Sequence, residues 1–298
     1  MDRYLGCFVS SAGGLFNIIE RGNALGVNTV MTHPAPPQRW NTQPFKDEAI
    51  EKYLEVKASD KNIKKVYFHG IYLINLANPD KQKFHLSKMS IVNHMELLRR
   101  INGDGVIFHT GSMKDQPEEK IGYERVVYGL NWIFDELEKL PSAGSNNEFW
   151  NKPRLFLEIA AGSGSVVGDR FEELAEIYTA VKDEHKPKLG FCLDTQHMFA
   201  SGYDLINDLE NVVELADKIL GLNKIPVVHF NDSKTEFASH RDRHEDLDSP
   251  SAKIGKDAMT AFLNHPKLKN KDFILETPSL DTPEGAKAQV DILKSWAK

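Results

Sequence analysis

The chain has 298 residues, of which 41% are hydrophobic and 27% charged, so it can bury a core large enough for one α/β barrel. Its N-terminus has no apolar signal segment, and no stretch approaches the roughly 20 apolar residues of a membrane span. We therefore expect no membrane partner. The formal net charge of −6 disfavours a nucleic-acid partner unless bound cations offset it.

Short apolar runs, predicted to be strands, alternate with longer segments of helical periodicity. The predicted strands are 5–9, 27–31, 65–68, 105–108, 154–157, 189–193, 225–230 and 272–275, and the clearest helices are 91–100, 123–140, 171–183 and 205–222. This alternation predicts a single domain over residues 1–298 with the (β/α)8 TIM-barrel fold, although a doubly wound open sheet would show the same pattern. The proline-flanked segment 141–153 is predicted to be a surface loop.

The two cysteines indicate the redox environment. Cys7 and Cys192 lie within predicted strands, and two cysteines are too few for a disulfide framework. We expect both to be buried, reduced thiols, which predicts a cytoplasmic, reducing compartment.

Six successive predicted strands contain, or are followed by, a histidine or a carboxylate. These residues are His69, His109, Glu158, Asp194, His229 and Glu276. In a parallel barrel the carboxyl ends of the strands meet at one rim, where active sites are assembled. A single histidine at a strand end is usually structural, but six ligand-type residues in succession predict a metal centre.

Three further residues extend this set to nine candidate ligands. His197 follows Asp194 by three positions, and Asp242 and His244 flank Arg243, where an extended backbone would point both side chains the same way. Imidazole and carboxylate ligands without thiolates favour catalytic Zn²⁺ or Mn²⁺. Nine ligands exceed what one ion can use, so several ions and hydrolytic or isomerase chemistry are predicted.

The motifs that carry these residues resemble, in order, those of the endonuclease IV family of apurinic/apyrimidinic endonucleases. They are GCFVSSAGG (6–14), HGIYLIN (69–75), FHTGS (108–112), EIAAGSG (158–164), CLDTQH (192–197), HFND (229–232), DRH (242–244) and LETP (275–278). The resemblance covers nearly the whole chain, and it implies a DNA-repair enzyme that acts on duplex DNA containing abasic sites. We expect the protein to be a monomer. The resemblance further implies that the cut falls 5′ to the abasic site and leaves a 3′-hydroxyl for base excision repair.

The resemblance also implies how the ligands are shared among three zinc ions, with manganese as an alternative in one site. His69, His109 and Glu158 would hold the first ion, and Glu158 would bridge to the second. Asp194, His229 and Glu276 would complete the second site. The third ion would be held by His197, Asp242 and His244. A metal-bridging hydroxide would attack the phosphorus, with Glu158 and Glu276 as the catalytic carboxylates.

Contacts with DNA are implied for six positions on the rim loops, which are Gln38, Arg39, Trp40, Tyr72, Arg243 and Lys234. Packing in the core is the alternative role for Trp40 and Tyr72, and Lys234 is equally consistent with a solvated surface lysine. The sequence departs from the family at the proline-rich segment 33–37 and at Cys7, Ile159, Ala238 and His240. Because none of these departures removes a metal ligand, we expect an active enzyme whose contacts with DNA are altered.

Two alternatives remain open. A metal-dependent sugar isomerase or epimerase on a related barrel would share the strand-end ligands but needs only one or two ions. A lesion-binding protein without catalysis would not need all nine ligands. Six other histidines lie outside the predicted strand ends, and most are expected at the surface: His33, His85, His94, His185, His240 and His265.

Overall fold

The structure, a computed structural model, describes residues 4–40, 43, 45–114, 118–140, 149, 152 and 154–298. The predicted loop 141–153 falls almost entirely outside these residues. Among the helices that the structure describes, none is both long and apolar enough to cross a membrane. Cys7 and Cys192 are both free and fully buried, and burial raises the pKa of each thiol to about 12.

Eight parallel strands close into a barrel, which confirms the predicted TIM-barrel fold and excludes the open sheet. The barrel strands are Leu5–Phe8 (β1), Thr29–Thr32 (β2), Lys65–His69 (β3), Gly105–His109 (β4), Leu155–Glu158 (β5), Leu189–Asp194 (β6), Val227–His229 (β7) and Asp272–Leu275 (β10). Each strand pairs with its neighbour along the chain, except that a two-stranded excursion intervenes between β7 and β10, and β10 pairs with β1 to close the ring.

Side chains alternate along each strand between the barrel interior and the surrounding helices. Seven buried residues fill the interior: Met31, Tyr67, Ile107, Phe156, Cys192, Val227 and Ile274. The ring of Phe156 takes the space that a side chain on the neighbouring strand would need, because a Cβ added at Gly105 would lie 2.1 Å from its Cε2 atom. A small residue beside a large one lets the interior fill without a cavity.

Helices pack around the outside of the barrel. They are Asn17–Leu25 (α1), Asp47–Ser59 (α2), Lys81–Arg100 (α3), Glu119–Lys139 (α4), Phe171–Ala180 (α5), Thr195–Ser201 (α6), Leu209–Ile219 (α7), Lys256–Leu263 (α8) and Pro283–Trp296 (α9). Short 3₁₀ turns lie at Lys186–Lys188, Leu222–Lys224, Pro266–Leu268 and Pro278–Asp281. The outward-facing residues of the strands and the inner faces of these helices form the main hydrophobic core.

Between β7 and α8 the chain makes an excursion above the rim. It contains a two-stranded antiparallel sheet of Asp232–Ser233 (β8) and His244–Glu245 (β9). The buried carboxylate of Asp232 accepts hydrogen bonds from the backbone N–H groups of Ser233, Ile254 and Gly255. That carboxylate therefore ties the start of the excursion to its end.

The opposite end of the barrel, where the strands begin, carries a polar floor. The Tyr67 hydroxyl donates to Asp272 at 2.5 Å, and Asp272 is 5% exposed, so burial raises the pKa of its carboxyl to about 6. The buried Arg154 guanidinium donates to the carbonyl oxygens of Phe149, Gly103 and Asp104. The polar groups of Tyr67, Asp272 and Arg154 thus all have hydrogen-bond partners within the protein.

Candidate metal centre

The histidines and carboxylates predicted at the strand ends lie together at the carboxyl end of the barrel. Strand register accounts for this, because His109 is paired with Glu158 across β4 and β5, and Asp194 with His229 across β6 and β7. Neighbouring strands therefore end at the same level and direct their last side chains toward the barrel axis.

Glu158 lies at the middle of the cluster and is fully buried. One carboxylate oxygen, Oε2, is 3.0 Å from Nε2 of His69 and 3.5 Å from Nε2 of His109. The other, Oε1, is 2.7 Å from Nδ1 of His229 and 3.5 Å from Nδ1 of His197. A carboxylate that presents both oxygens to separate sets of imidazoles has the arrangement of a bridging ligand.

A second set of side chains adjoins the first. The Asp194 side chain caps α6 by accepting a hydrogen bond from the N–H of His197, which fixes that helix at the end of β6. Nε2 of His197 lies 3.4 Å from both Oδ1 of Asp242 and Nε2 of His244. Asp242 and His244 reach the rim on the excursion, and they point the same way, as their i, i+2 spacing predicts.

Eight of the nine candidate ligands belong to four overlapping groups, and the ligand atoms within each group lie within 4.8 Å of one another. The groups are His69, Glu158 and His229; His109, Glu158 and His197; Asp194, His197 and His244; and Glu158, Asp194, His229 and Glu276. The ninth residue, Asp242, contacts His197 and His244. The largest group has the composition expected for the second ion, and shared membership means that ions held here would lie close together.

Electrostatics in the cluster favour cations. Although desolvation opposes it, the carboxylates of Asp194, Asp242 and Glu158 raise the pKa of His197 to about 10. Against the same desolvation, the charge of His229 lowers the pKa of Glu276 to about 2. Imidazolium protons thus occupy the electrostatic role that a divalent ion would fill, and such an ion would displace them. The residues fit a group of divalent cations.

Three of the imidazoles are oriented by backbone carbonyl groups. Nδ1 of His69 donates to the carbonyl oxygen of Gly70 at 2.9 Å, and Nδ1 of His197 donates to that of Ile159 at 2.9 Å. Nδ1 of His244 is 3.2 Å from the carbonyl oxygen of Glu276. A proton on Nδ1 leaves the Nε2 lone pair facing the cluster, which is the tautomer that a metal ligand requires.

Two residues that support the cluster were not predicted from the sequence. The amide of Asn231 donates to Oδ2 of Asp194 at 2.7 Å and accepts from the N–H of Glu276 at 2.7 Å, so one side chain holds two candidate ligands. The hydroxyl of Thr195 contacts the backbone of Asn231 in turn. Thr195 directly follows the candidate ligand Asp194 and Asn231 lies two positions after His229, but the polarity of these residues alone did not distinguish them from surface residues.

The predicted DNA contacts lie at several depths around the rim. Tyr72 is 70% exposed, and Arg243, Gln38, Arg39 and Lys234 are also exposed. Tyr72 and Arg243 line a cavity of about 420 Å³ together with six of the candidate ligands, namely His69, His109, His197, Asp242, His244 and Glu276. Core packing is excluded for the Tyr72 side chain, whereas Trp40 is half-buried and packs against the main core.

The expectation that most of the other six histidines lie at the surface is wrong. His85 and His240 are exposed, but four are buried: His33, His94, His185 and His265. Two of these have carboxylate partners that offset burial, since His185 contacts Asp135 and His265 contacts Glu210. His33 lies beside the metal cluster.

Comparison with known proteins places the chain among close structural relatives. Residues 19–296 match the family described as xylose isomerase-like TIM barrel. A probable endonuclease 4 from Halothermothrix orenii is 34% identical over 97% of this chain and 99% of its own length. The crystal structure of endonuclease IV from Thermus thermophilus has a TM-score of 0.80 and 30% identity over 98% of both chains. A D-tagatose 3-epimerase-like protein, at 17% identity and a TM-score of 0.68 over 98% of this chain and 96% of its own, shares the fold.

Proposed function

We propose, from the premise that this chain belongs to the endonuclease IV family, that it is a metal-dependent DNA-repair nuclease. It hydrolyses the phosphodiester bond 5′ to an abasic site in duplex DNA and leaves a 3′-hydroxyl. The observation that carries this proposal is the set of overlapping ligand groups, extended by Asp242 and His244 from outside the barrel strands.

Nine side chains would hold three divalent ions, for which zinc is the proposed metal, with manganese in one site as the alternative. The division among the three ions is the one that the family resemblance implies, and it is supported by Glu158, Asp194 and His197, each of which belongs to more than one ligand group. Ions bound there supply Lewis acidity toward a phosphate and toward the water that attacks it. The buried, apolar surroundings of the barrel strengthen that electrostatic effect.

The chain's own residues orient the reactants. Glu276 lines the cavity, and its lowered pKa keeps the carboxylate ionised and able to accept a hydrogen bond from the attacking water. Glu158 is buried behind it and keeps the imidazoles in place. Arg243 offers an exposed guanidinium at the cavity wall to a backbone phosphate, as Lys234 does farther out on the excursion.

Tyr72 is the proposed support for the abasic nucleotide outside the stack. Its exposed ring lies at the edge of the cavity, next to the candidate ligand His69. A nucleotide without a base is cheaper to extrude than a paired one, so an aromatic surface at this position favours the lesion. Gln38 and Arg39, on the exposed loop after β2, would contact the distorted duplex nearby.

A sugar epimerase is the second candidate, and the fold it would need is present. One or two ions on the strand-end residues would suffice for that chemistry. Asp242 and His244 would then have no role, although both contact His197. Their presence favours the nuclease.

One preparation tests both candidates. We expect elemental analysis of the purified protein to give about three divalent ions per chain, as three or four ligands per ion imply. The protein should cut a duplex at a single abasic site, leave an end that a polymerase extends, and leave D-tagatose unchanged. One ion at full activity would refute the trinuclear centre, and turnover of the ketose without cleavage would refute the nuclease.

A further inference from the structure

His33 lies immediately after β2, at the start of the proline-rich segment 33–37. It is 9% exposed, and it forms part of the wall between the metal cavity of about 420 Å³ and a neighbouring cavity of about 610 Å³. Phe8 is the other side chain with an aromatic ring that borders both cavities among the residues the structure describes. His33 is therefore placed to act on the centre without belonging to the ligand set.

Within the described part of the chain, the His33 ring has a hydrogen bond to the His69 backbone and three ring contacts. Its Nδ1 lies 3.1 Å from the carbonyl oxygen of His69, so a proton on Nδ1 is donated to the backbone of a candidate ligand. Its ring centroid is 5.5 Å from that of His69, 5.0 Å from that of Tyr72 and 4.9 Å from that of Phe8, all in edge-to-face geometry. These separations are within the range in which aromatic rings attract each other.

The orientation of the Tyr72 ring depends on its contact with His33 more than the orientation of a buried tyrosine would depend on any one neighbour. Its side chain is 70% exposed, and within the described part of the chain its one ring contact is with His33. Its backbone N–H donates to the carbonyl oxygen of Pro37, which belongs to the segment that His33 begins. An exposed aromatic side chain with few contacts samples several rotamers, and a ring held in one direction loses less entropy when it meets a ligand.

We propose that His33 is a positioning residue that holds the Tyr72 ring over the cavity and ties it to the backbone of His69. This rests on the proposed function, because it assigns His33 to lesion support in the same site. One ring thus fixes the distance between the metal ligand and the aromatic platform. Its ring provides the first contact and its Nδ1–H the second, so the two can be separated by substitution.

Two variants separate them. His33→Asn retains a side-chain N–H at about the position of Nδ1 and removes the ring, whereas His33→Phe retains the ring and removes the donor. For cleavage of an abasic duplex, we expect His33→Asn to raise KM about three- to tenfold, the scale of one aromatic pair, with kcat and metal content unchanged. His33→Phe, which keeps the ring but loses the hydrogen bond to the His69 backbone, should raise KM less than His33→Asn does. His85→Asn, at an exposed histidine of α3, is the matched control.

A double-mutant cycle with Tyr72→Ala measures the coupling between the two residues in lesion affinity. A purely structural role of His33 would give no such coupling. Tyr72→Ala alone should weaken lesion affinity roughly 5- to 150-fold, the scale of stacking on one aromatic ring, and should cost less in the His33→Asn background. Fully additive effects, or equal KM values in His33→Asn and wild type, would overturn the proposal. A rise in KM in His33→Phe equal to that in His33→Asn would also overturn it.

A measurement without DNA separates this proposal from the proposed function. Crystal structures of the wild-type protein and both His33 variants would report whether Tyr72 keeps one rotamer. We expect one orientation in wild type and His33→Phe, and several in His33→Asn. If wild type fails to cut abasic duplex, the nuclease proposal fails, while these structures still decide whether His33 positions Tyr72. An ordered, unmoved Tyr72 in His33→Asn would overturn the positioning role.

Discussion

The two ends of the barrel bury acidic and basic groups in different ways. At the floor, each one described has protein hydrogen-bond partners, such as the Tyr67 hydroxyl on Asp272 and the three carbonyl oxygens around Arg154. At the rim, Glu158 is equally buried, but histidines that themselves need a proton surround it. The polar groups named at the floor are satisfied by protein hydrogen bonds alone. The buried carboxylates at the rim need positive charge, from imidazolium protons or metal ions, to offset their own.

The comparison shows that burial of charge does not by itself identify a functional site. Each end contains a buried carboxylate with a shifted pKa. At the floor the pKa of Asp272 is raised by burial, and at the rim the pKa of Glu158 is lowered, although burial opposes it, by the surrounding histidines. The difference is the chemistry of the neighbours, since hydroxyl and guanidinium donors stabilise a fold while clustered imidazoles bind metal. Substitutions at the floor should therefore change stability, and substitutions at the rim should change activity.

The largest effect is expected at the rim. Glu158→Ala removes the carboxylate shared by three of the ligand groups, so cleavage of abasic duplex should fall on the order of a thousandfold or more. Metal content should fall as well, while affinity for the duplex through the rim loops is retained. The measurement is single-turnover cleavage with parallel elemental analysis. His85→Ala should behave as wild type, and near-normal turnover in Glu158→Ala would mean that the centre lies elsewhere.

The next effect is expected at the floor. Arg154→Met leaves the carbonyl oxygens of Phe149, Gly103 and Asp104 without their buried donor, so the free energy of unfolding should fall by about 3 kcal/mol. Chemical denaturation measures it. Metal content and cleavage rate below the melting temperature should match wild type. A variant that lost metal instead of stability would break the contrast between the two ends.

A pH-dependent effect should also arise at the floor. Because burial raises the pKa of Asp272 to about 6, the folded state gains stability from the protonated carboxyl that is fully present below its unfolded pKa of 3.8. That gain is lost as the pH rises through 6. Relative to Asp272→Asn, the wild-type protein should therefore lose about 2 kcal/mol of stability between pH 4 and pH 7. Parallel denaturation curves across that window test it, and a constant difference between the two proteins would contradict it.

The smallest effect is expected on the excursion. Ala238 has a φ of 52°, a left-handed conformation that costs a residue with a Cβ but not glycine. Ala238→Gly should raise the free energy of unfolding by about 0.5–1 kcal/mol, because relief of strain exceeds the added entropy of the unfolded chain. Thermal unfolding with metal bound measures it. Ala175→Gly, within α5, is the control and should lower stability by about 1 kcal/mol.

The sequence predicted the strands well and the helix ends poorly. Strand runs are short and apolar on both faces, so composition locates them to within two residues or so. Helix α3 begins at Lys81, ten residues before the predicted start, because its first turns face solvent and lack apolar periodicity. The Asp80 side chain, which accepts from the N–H groups of Gln82 and Lys83, was the signal available for its start.

The candidate ligands were predictable because metal chemistry uses few residue types at strand ends. Asn231, Thr195 and His33 were not, since their roles depend on which atoms of other strands they meet. Asn231 contacts Asp194 and Glu276, and His33 contacts His69 and Tyr72, across 36 to 45 positions of sequence. Contacts of that range are fixed by barrel register, and composition and periodicity do not report register.

The excursion between β7 and α8 has a topological consequence. Because the Asp232 carboxylate binds the N–H groups of Ile254 and Gly255, the chain returns to the point from which it left. Because the two ends of the segment are held together, its length does not constrain the distance between the strands on either side. Asp242 and His244 therefore lie on a segment outside the eight barrel strands. The length and sequence of that segment can diverge while the barrel stays the same.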